Sequence, residues 1–171
     1  MESAVIIRVA LPDALDRLRR RCVADASLGV PGHVTLLYPF VEPPGLRDDT
    51  RDTVASIASA HASFSFVLSG PEQWPDTLYA AVDPNEPFVA IHRDLASAFP
   101  GYLIYGRPGL EFVPHVTIAE GDHVGDPSVL GDPAWSELPV TALANALEVI
   151  AEDRNRRWRR VWTVPLAASD L

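Results

Sequence analysis

Cysteine, long apolar runs and positive charge are all scarce in this sequence. Cys22 is the only cysteine among 171 residues, which excludes an intramolecular disulfide and a cysteine-rich metal site. This usage is typical of a reducing compartment. No stretch approaches the about 20 apolar residues of a membrane span, and the N-terminal MESAVIIRVALPD has neither the basic start nor the apolar length of a secretory signal. We therefore expect a cytoplasmic protein with no membrane partner.

Acidic residues outnumber basic ones. The chain has 14 Lys and Arg against 23 Asp and Glu, a formal net charge of −9. A protein that wraps duplex nucleic acid needs a broad basic face, and this composition does not offer one. A small phosphate ligand, or the end of a strand, needs only a local positive pocket. The arginines between 154 and 160 are typical of a solvated hairpin turn, with an RNA-contacting rim as the alternative.

Apolar periodicity predicts both strands and helices, and the 47% hydrophobic content suffices for a real core. Strands are predicted at 4–10, 33–40, 64–70, 78–83, 115–121 and 158–166, with two short strands within 140–153. Helices are predicted from Pro12, with Leu15, Leu18, Cys22 and Val23 inward, and over 46–62 and 86–99. The segment 126–137 is predicted as a short helix or a loop.

A His-x-Thr pair occurs twice. It lies in GHVTLLYPF, 32–40, and again in PHVTIAEG, 114–121, about half a chain apart. Each pair follows a loop rich in Gly and Pro and begins a predicted strand, which suggests an ancient duplication. Because side chains alternate across a strand, His and Thr of each pair share one face and apolar residues occupy the other.

Two such polar faces, meeting across a cleft, match the needs of phosphodiester hydrolysis. Histidine titrates near neutral pH, so one imidazole can accept a proton from the attacking oxygen while the other donates one to the leaving oxygen. Threonine hydroxyls can donate hydrogen bonds to the phosphoryl oxygens as charge builds there. This chemistry requires no metal ion and no other cofactor.

HVTL at 33–36 and HVTI at 115–118 resemble the paired motifs of the two-histidine (2H) phosphoesterase superfamily. The continuation HVTLLYPF and the terminal W-x6-P-L, Trp158 to Leu166, are similar to its 2′-5′ RNA ligase and cyclic phosphodiesterase branch. The resemblance implies an α+β fold with two antiparallel-sheet lobes, pseudo-two-fold symmetry and outer helices around a central groove. It implies a single bilobal domain over 1–171, with lobes contributed by both halves of the chain.

The resemblance also implies hydrolysis of a 2′,3′-cyclic phosphate to a 2′-phosphomonoester. By motif match, His33 and His115 are the expected acid and base, in an order that stays open, and Thr35 and Thr117 the expected phosphate ligands. The expected partner is an RNA end or a nucleotide that carries a cyclic phosphate. A monomer is expected because one chain completes the groove.

Several other residues are weaker candidates. Arg8, which interrupts an apolar strand, and Arg107, which precedes the second motif, are candidate phosphate ligands; for Arg8 the alternative is an ion pair with a buried acid. Tyr79 is a candidate for stacking on a base. Tyr38 has the opposite strand parity from His33, which predicts that it packs in the core. The loops 41–50, 70–77, 100–113 and 121–137 are predicted to set specificity.

Two other functions stay open. One is a non-catalytic module that binds nucleotides or RNA ends, although binding alone rarely needs both an acid and a base. The other is a 2′-5′ RNA ligase, which must hold two strands and is therefore disfavoured by the net charge of −9.

Overall fold

The computed structural model describes residues 1–169, and within them eight strands form two four-stranded antiparallel sheets. The strands are β1 (Ser3–Arg8), β2 (His33–Leu37), β3 (Phe64–Trp74), β4 (Thr77–Asp83), β5 (His115–Glu120), β6 (Val140–Ala144), β7 (Ala146–Glu152) and β8 (Trp158–Pro165). Each predicted strand is present, and the segment 140–153 does divide into two strands.

Helices flank the two sheets. They are α1 (Asp13–Cys22), α2 (Ala24–Ser27), α3 (Asp48–Ser59), α4 (Glu86–Ala98) and α5 (Pro127–Leu130), and short 3₁₀ turns occur at Pro43–Gly45, Ile104–Gly106, Gly121–His123 and Pro133–Glu137. Pro12 lies at the N-cap of α1, as predicted. The three long predicted helices are confirmed, because their apolar residues recur with the helical period and are buried.

The strand order places both motif strands at sheet edges. The first sheet runs β2-β1-β7-β8 and the second runs β5-β4-β3-β6. The two sheets approach each other along β2 and β5, with Cα atoms of the two strands within 8 Å. Helix α1 packs against β5 and helix α4 packs against β2, so each motif strand is covered by a helix from the other half of the chain. This arrangement confirms the predicted α+β fold with two antiparallel lobes around a groove.

The strand β3 is longer than predicted. It continues past Pro71 to Trp74 and forms a hairpin with β4, in which Trp74 pairs with Thr77. The pairing shifts between Ser69 and Glu72, and such an irregularity is where a sheet tolerates proline. The expected loop 70–77 is therefore mostly strand, and only two residues form its tip.

A bulge in β2 reverses the predicted side of Tyr38. Val5 pairs with Leu37 and Ile6 pairs with Thr35, so Leu36 is an extra residue between the two pairs. Strict alternation would send Tyr38 to the face opposite His33. The inserted residue restores it to the face of His33, where it borders the groove. Tyr38 is half-buried and packs against the small cluster of Ala4, Ile6, Val30 and Ile150, so the predicted core packing holds only for this cluster and not for the main core.

Apolar side chains from both sheets and from α1, α3 and α4 form one large buried cluster. Three phenylalanines stand at its centre: Phe88 of α4 meets Phe64 edge to face at 4.9 Å and Phe66 at 5.1 Å between ring centroids. Phe88 is fully buried. Through this contact α4 packs against β3 of the second sheet. The same helix also packs against β2 of the first sheet.

We expect Phe88→Ala to lower the free energy of unfolding by about 3–5 kcal/mol, because it removes a buried ring and leaves a cavity. Chemical denaturation measures this loss. The neighbouring Val89 is 39% exposed, and Val89→Ala, the matched control, should change stability by no more than about 0.5 kcal/mol. Equal losses in the two variants would contradict the central role of Phe88.

Candidate active site

His33 is held by a backbone carbonyl two residues before it. Its Nδ1 lies 2.8 Å from the carbonyl oxygen of Pro31, and this oxygen can only accept, so Nδ1 carries the proton. In the neutral ring Nε2 is then an acceptor, and the Thr35 hydroxyl donates to it at 3.0 Å. The hydrogen bond to Pro31 therefore sets both the rotation of the ring and its tautomer.

His115 repeats this geometry on the second sheet. Its Nδ1 donates to the carbonyl oxygen of Val113 at 2.7 Å, again two residues upstream. The ring packs edge-to-face against two aromatic neighbours, with centroid distances of 4.7 Å to Trp74 and 5.3 Å to Tyr79. In the described residues its Nε2 has no hydrogen-bond partner. In both neutral imidazoles Nε2 is thus the unprotonated nitrogen, occupied by Thr35 in His33 and without a protein partner within residues 1–169 in His115.

The motif strands border a cavity of about 180 Å³. His33, Thr35 and Thr117 line it. His115 lies on the same face of β5 as Thr117, and it is close enough that its positive charge would lower the pKa of His33. One groove therefore contains the polar face of both motifs, which the sequence predicts from strand parity.

Burial lowers the pKa of both imidazoles. The pKa of His33 falls to about 4, chiefly because burial disfavours the charged ring; the Pro31 carbonyl opposes this, and the charges of Arg19, His115 and Arg8 add to it. Burial likewise lowers the pKa of His115, against the effect of the Val113 carbonyl. Both rings are thus neutral at pH 7 in the free protein.

Three aromatic rings, Tyr38, Tyr105 and Trp158, form one wall of the cavity, here called the aromatic wall. Ring centroids of Tyr38 lie 6.5 Å from Tyr105 and 6.4 Å from Trp158. The Tyr105 hydroxyl faces Thr35. Sequence reasoning missed Tyr105. This residue lies in the loop before β5, and its backbone N–H donates a hydrogen bond to the carbonyl oxygen of Tyr38. A planar, mostly apolar group fits against this wall.

Tyr79 does not offer a stacking face. It is only 6% exposed, its ring lies 4.2 Å from that of Trp74, and its hydroxyl donates to Glu72 at 3.0 Å. The expectation that Tyr79 stacks on a base does not fit this position. It supports His115 instead, because the stacked rings of Trp74 and Tyr79 both pack against that imidazole.

The two arginines expected to bind phosphate lie apart from the cavity lining. Arg8 pairs in the sheet with His33, but its Nε donates to both carboxylate oxygens of buried Glu148 at 3.1 Å. That ion pair is the alternative left open by the sequence, and the structure favours it over a phosphate clamp. Arg107 is exposed in the loop before β5, and its phosphate role stays a prediction.

Arg19 was missed as a site residue. It lies on α1 among the buried residues, is 2% exposed and lines the cavity. The basic residues of this helix are readily explained by the helix dipole. The available signal was spacing: Leu15, Arg19 and Cys22 follow the i, i+4, i+7 pattern of a buried helical stripe.

Neither a cluster of metal ligands nor a membrane-spanning helix occurs within residues 1–169. That region contains no group of three or more His, Cys, Asp or Glu side chains placed to hold a metal ion. None of the helices described is long and apolar enough to cross a membrane.

Comparisons with known proteins agree with this geometry. The family model described as the 2′-5′ RNA ligase superfamily matches residues 8–156. A protein named "Putative phosphoesterase" from Geobacillus thermodenitrificans (strain NG80-2) is 29% identical over 111 residues, which is 63% of this chain. The match spans only 61% of that relative's length.

Two solved structures share the fold. TT0787 of Thermus thermophilus superposes with a TM-score of 0.63 at 18% identity, covering 99% of this chain and 100% of that one. LigT of E. coli, complexed with 3′-AMP, has a TM-score of 0.56 at 15% identity, covering 96% of this chain and 97% of LigT. At these identities the likeness shows the fold.

We expect the His33 ring to titrate near pH 4 and the His115 ring below pH 6.5 in the free protein, because burial disfavours both charged forms. Imidazole NMR shifts followed over pH measure this, with the urea-unfolded chain as the reference near 6.5. The folded protein binds the His33 proton more weakly than the unfolded chain does. The free energy of unfolding should therefore fall as pH drops from about 6.5 to about 4 and change little from this cause below that.

The control for that pH dependence is His33→Ala. In this variant the free energy of unfolding should fall less between about pH 6.5 and about pH 4. A His33 midpoint at or above pH 6.5 would contradict the burial that we describe.

Proposed function

The chain belongs to the 2′-5′ RNA ligase superfamily, and from this premise we propose that it is a metal-independent phosphoesterase that hydrolyses 2′,3′-cyclic phosphates to 2′-phosphomonoesters. We propose as substrate an RNA 3′ end or a small nucleotide that carries the cyclic phosphate. His33 and His115 are the proposed acid and base, and Thr35 and Thr117 the proposed phosphate ligands.

One observation carries this proposal: the two imidazoles have the same hydrogen bond and therefore the same tautomer. Each donates from Nδ1 to the carbonyl two residues upstream, so each has Nε2 available for proton transfer. A histidine with only a structural role would not require a second histidine with the same geometry beside the same cavity. A pair of rings with equal tautomers, one able to accept and one to donate, suits general acid–base catalysis.

The proposed reaction is a displacement at phosphorus. The neutral Nε2 of one histidine accepts a proton from water, whose oxygen forms a new bond to phosphorus. The bond between phosphorus and O3′ breaks, and the protonated Nε2 of the other histidine donates its proton to O3′. The product carries a 2′-phosphate and a free 3′-hydroxyl. The base ring has gained one proton and the acid ring has lost one, so the two rings have exchanged protonation states.

Thr35 has two roles in this scheme. In the free protein its hydroxyl donates to His33 Nε2. When a phosphate enters, the hydroxyl turns to a non-bridging oxygen, which releases Nε2 for proton transfer. Thr117 donates to the phosphate from the other strand, and both bonds strengthen as charge develops on these oxygens.

The acid form must arise with the substrate, because burial keeps both rings neutral in the free protein. A bound phosphodiester carries a negative charge, and a nearby anion raises the pKa of an imidazole. Substrate binding thus promotes the protonation of one ring. This ordering limits acid–base chemistry to the occupied groove.

A nucleotide ligand is consistent with the rest of the cavity. The aromatic wall provides rings against which a base or ribose can pack. A solved structure of LigT contains 3′-AMP, which supports a nucleotide-sized occupant. The net charge of −9 favours the end of a strand over a long strand and disfavours ligation of two strands.

We expect His33→Ala and His115→Ala each to lower the turnover of 2′,3′-cyclic nucleotides by at least about 10²–10⁴-fold, because each removes one proton-transfer group. Turnover is measured in the presence of a chelator on mononucleotide and oligonucleotide cyclic phosphates. Folding is checked by circular dichroism.

The matched control is His123→Ala. His123 ends the turn Gly121–His123 and does not line the groove cavity, so its removal should leave turnover unchanged. Tight product binding without hydrolysis by the wild-type protein would favour the binding module instead.

The pH profile offers a separate check. Since kcat/KM reports ionisations of the free enzyme and burial lowers the pKa of both imidazoles, kcat/KM should peak below pH 6.5. The profile of kcat reports the substrate complex, so it should peak at higher pH because the bound phosphate raises those pKa values. A kcat/KM maximum at or above pH 7 would refute this account.

A further inference from the structure

Arg19 is a buried cation that forms no ion pair with residues 1–169. Its side chain is 2% exposed. Nη1 donates to the Val30 carbonyl oxygen at 3.0 Å, while Nε has no partner within residues 1–169. No ion pair joins it to a carboxylate in that region. A guanidinium has five N–H donors, so most of its hydrogen-bonding capacity is not used by the protein.

Arg19 lies at the wall of the groove. Arg19 lines the same cavity as His33, Thr35 and Thr117. Among the charges that act on the pKa of His33, that of Arg19 has the largest effect, ahead of those of His115 and Arg8. Arg19 is thus the cation that most strongly affects the pKa of His33 at the proposed site of reaction.

His92 on α4 offers a comparison, because α4 packs on the motif strand β2 as α1 packs on β5. His92 donates from Nδ1 to the Leu36 carbonyl at 2.6 Å and stacks on Phe112 at 4.1 Å. The ring of His92 therefore has protein partners, whereas the guanidinium of Arg19 has one hydrogen bond within residues 1–169.

We propose that Arg19 is the charged ligand of the reacting phosphate and donates to a non-bridging oxygen of the group held by Thr35 and Thr117. This inference rests on the proposed function of the groove. The planar guanidinium suits phosphate better than an ammonium does, because it can donate two parallel hydrogen bonds. It also replaces Arg8, whose guanidinium Glu148 already engages.

Burying an unpaired charge destabilises a fold unless something compensates. Asp25 and Glu120 line the same cavity and act on Arg19 through space. When the groove is free, these carboxylates partly offset the cost of burying the guanidinium charge. Neither forms an ion pair with it in residues 1–169. An entering phosphate provides the direct anionic partner that the protein lacks there.

The test uses Arg19→Gln, which removes the charge, and Arg19→Lys, which retains it without the planar fork. Arg20→Gln is the matched control, because Arg20 is on the same helix but exposed and paired with Asp16 at 2.8 Å. The probes are inorganic phosphate and adenosine 2′-monophosphate, bound to the full chain and followed by calorimetry. Melting temperature and hydrolysis of 2′,3′-cyclic AMP are measured on the same samples.

We expect Arg19→Gln to weaken binding of both probes at least tenfold and to lower kcat about 10²–10³-fold, as for loss of one transition-state donor. Arg19→Lys should recover part of each loss, and Arg20→Gln should match wild type. The ligand-free Arg19→Gln protein should melt at or above the wild-type temperature, and phosphate should no longer raise that temperature. A purely structural arginine would instead give a lower melting temperature and unchanged affinity per folded molecule.

The outcomes separate this inference from the proposed function. Hydrolysis and probe binding that survive in Arg19→Gln would overturn the role of Arg19 and leave the phosphoesterase in place. Probe binding that depends on Arg19, without hydrolysis by wild type, would support the phosphate ligand and overturn the enzyme. Failure of the wild-type protein to bind either probe would overturn the inference directly.

Discussion

The site depends on one repeated hydrogen bond, from an imidazole Nδ1 to the carbonyl two residues upstream. In both motifs this carbonyl precedes the strand, at Pro31 and Val113. A histidine on a strand would otherwise sample several ring rotations and two tautomers. With Nδ1 engaged, the remaining nitrogen is an acceptor in the neutral ring. The loop before each strand therefore determines the chemistry of the residue that begins it.

Crossed packing brings the two motifs together. β2 and β5 are edge strands of separate sheets, and an edge strand normally risks pairing with another chain. Here the two edges meet each other and border the groove, and each is also covered by a helix from the other half. His92 on α4 contributes to this contact, because it donates to the carbonyl of the extra residue Leu36, where β2 bulges.

The charges at the groove are mixed. Burial keeps both imidazoles neutral, the guanidinium of Arg19 is buried with one hydrogen bond to residues 1–169, and the carboxylates of Asp25 and Glu120 also line the cavity. An anion that contacts this guanidinium directly interacts with it more strongly than with an exposed basic patch, because little solvent screens the contact. One such contact is how a protein with a net charge of −9 can suit a phosphate ligand.

The sequence alone determined the elements and the pairing of His33 with Thr35 and of His115 with Thr117, because strand alternation and helical periodicity are local rules with fixed periods. Arg19 could also have been recognised as buried, since it shares the spacing of the apolar stripe of α1. Tyr38 could not be placed, because its side depends on a bulge set by pairing with β1, which no local pattern in β2 records. Likewise, the engagement of Arg8 by Glu148 and the arrival of Tyr105 at Thr35 join segments distant in the chain, and Tyr79 is covered by Trp74 because β3 continues past Pro71 with a shifted register. Only the tertiary structure decided these, since which distant groups meet depends on how the sheets, loops and helices pack and not on the residues next to each one.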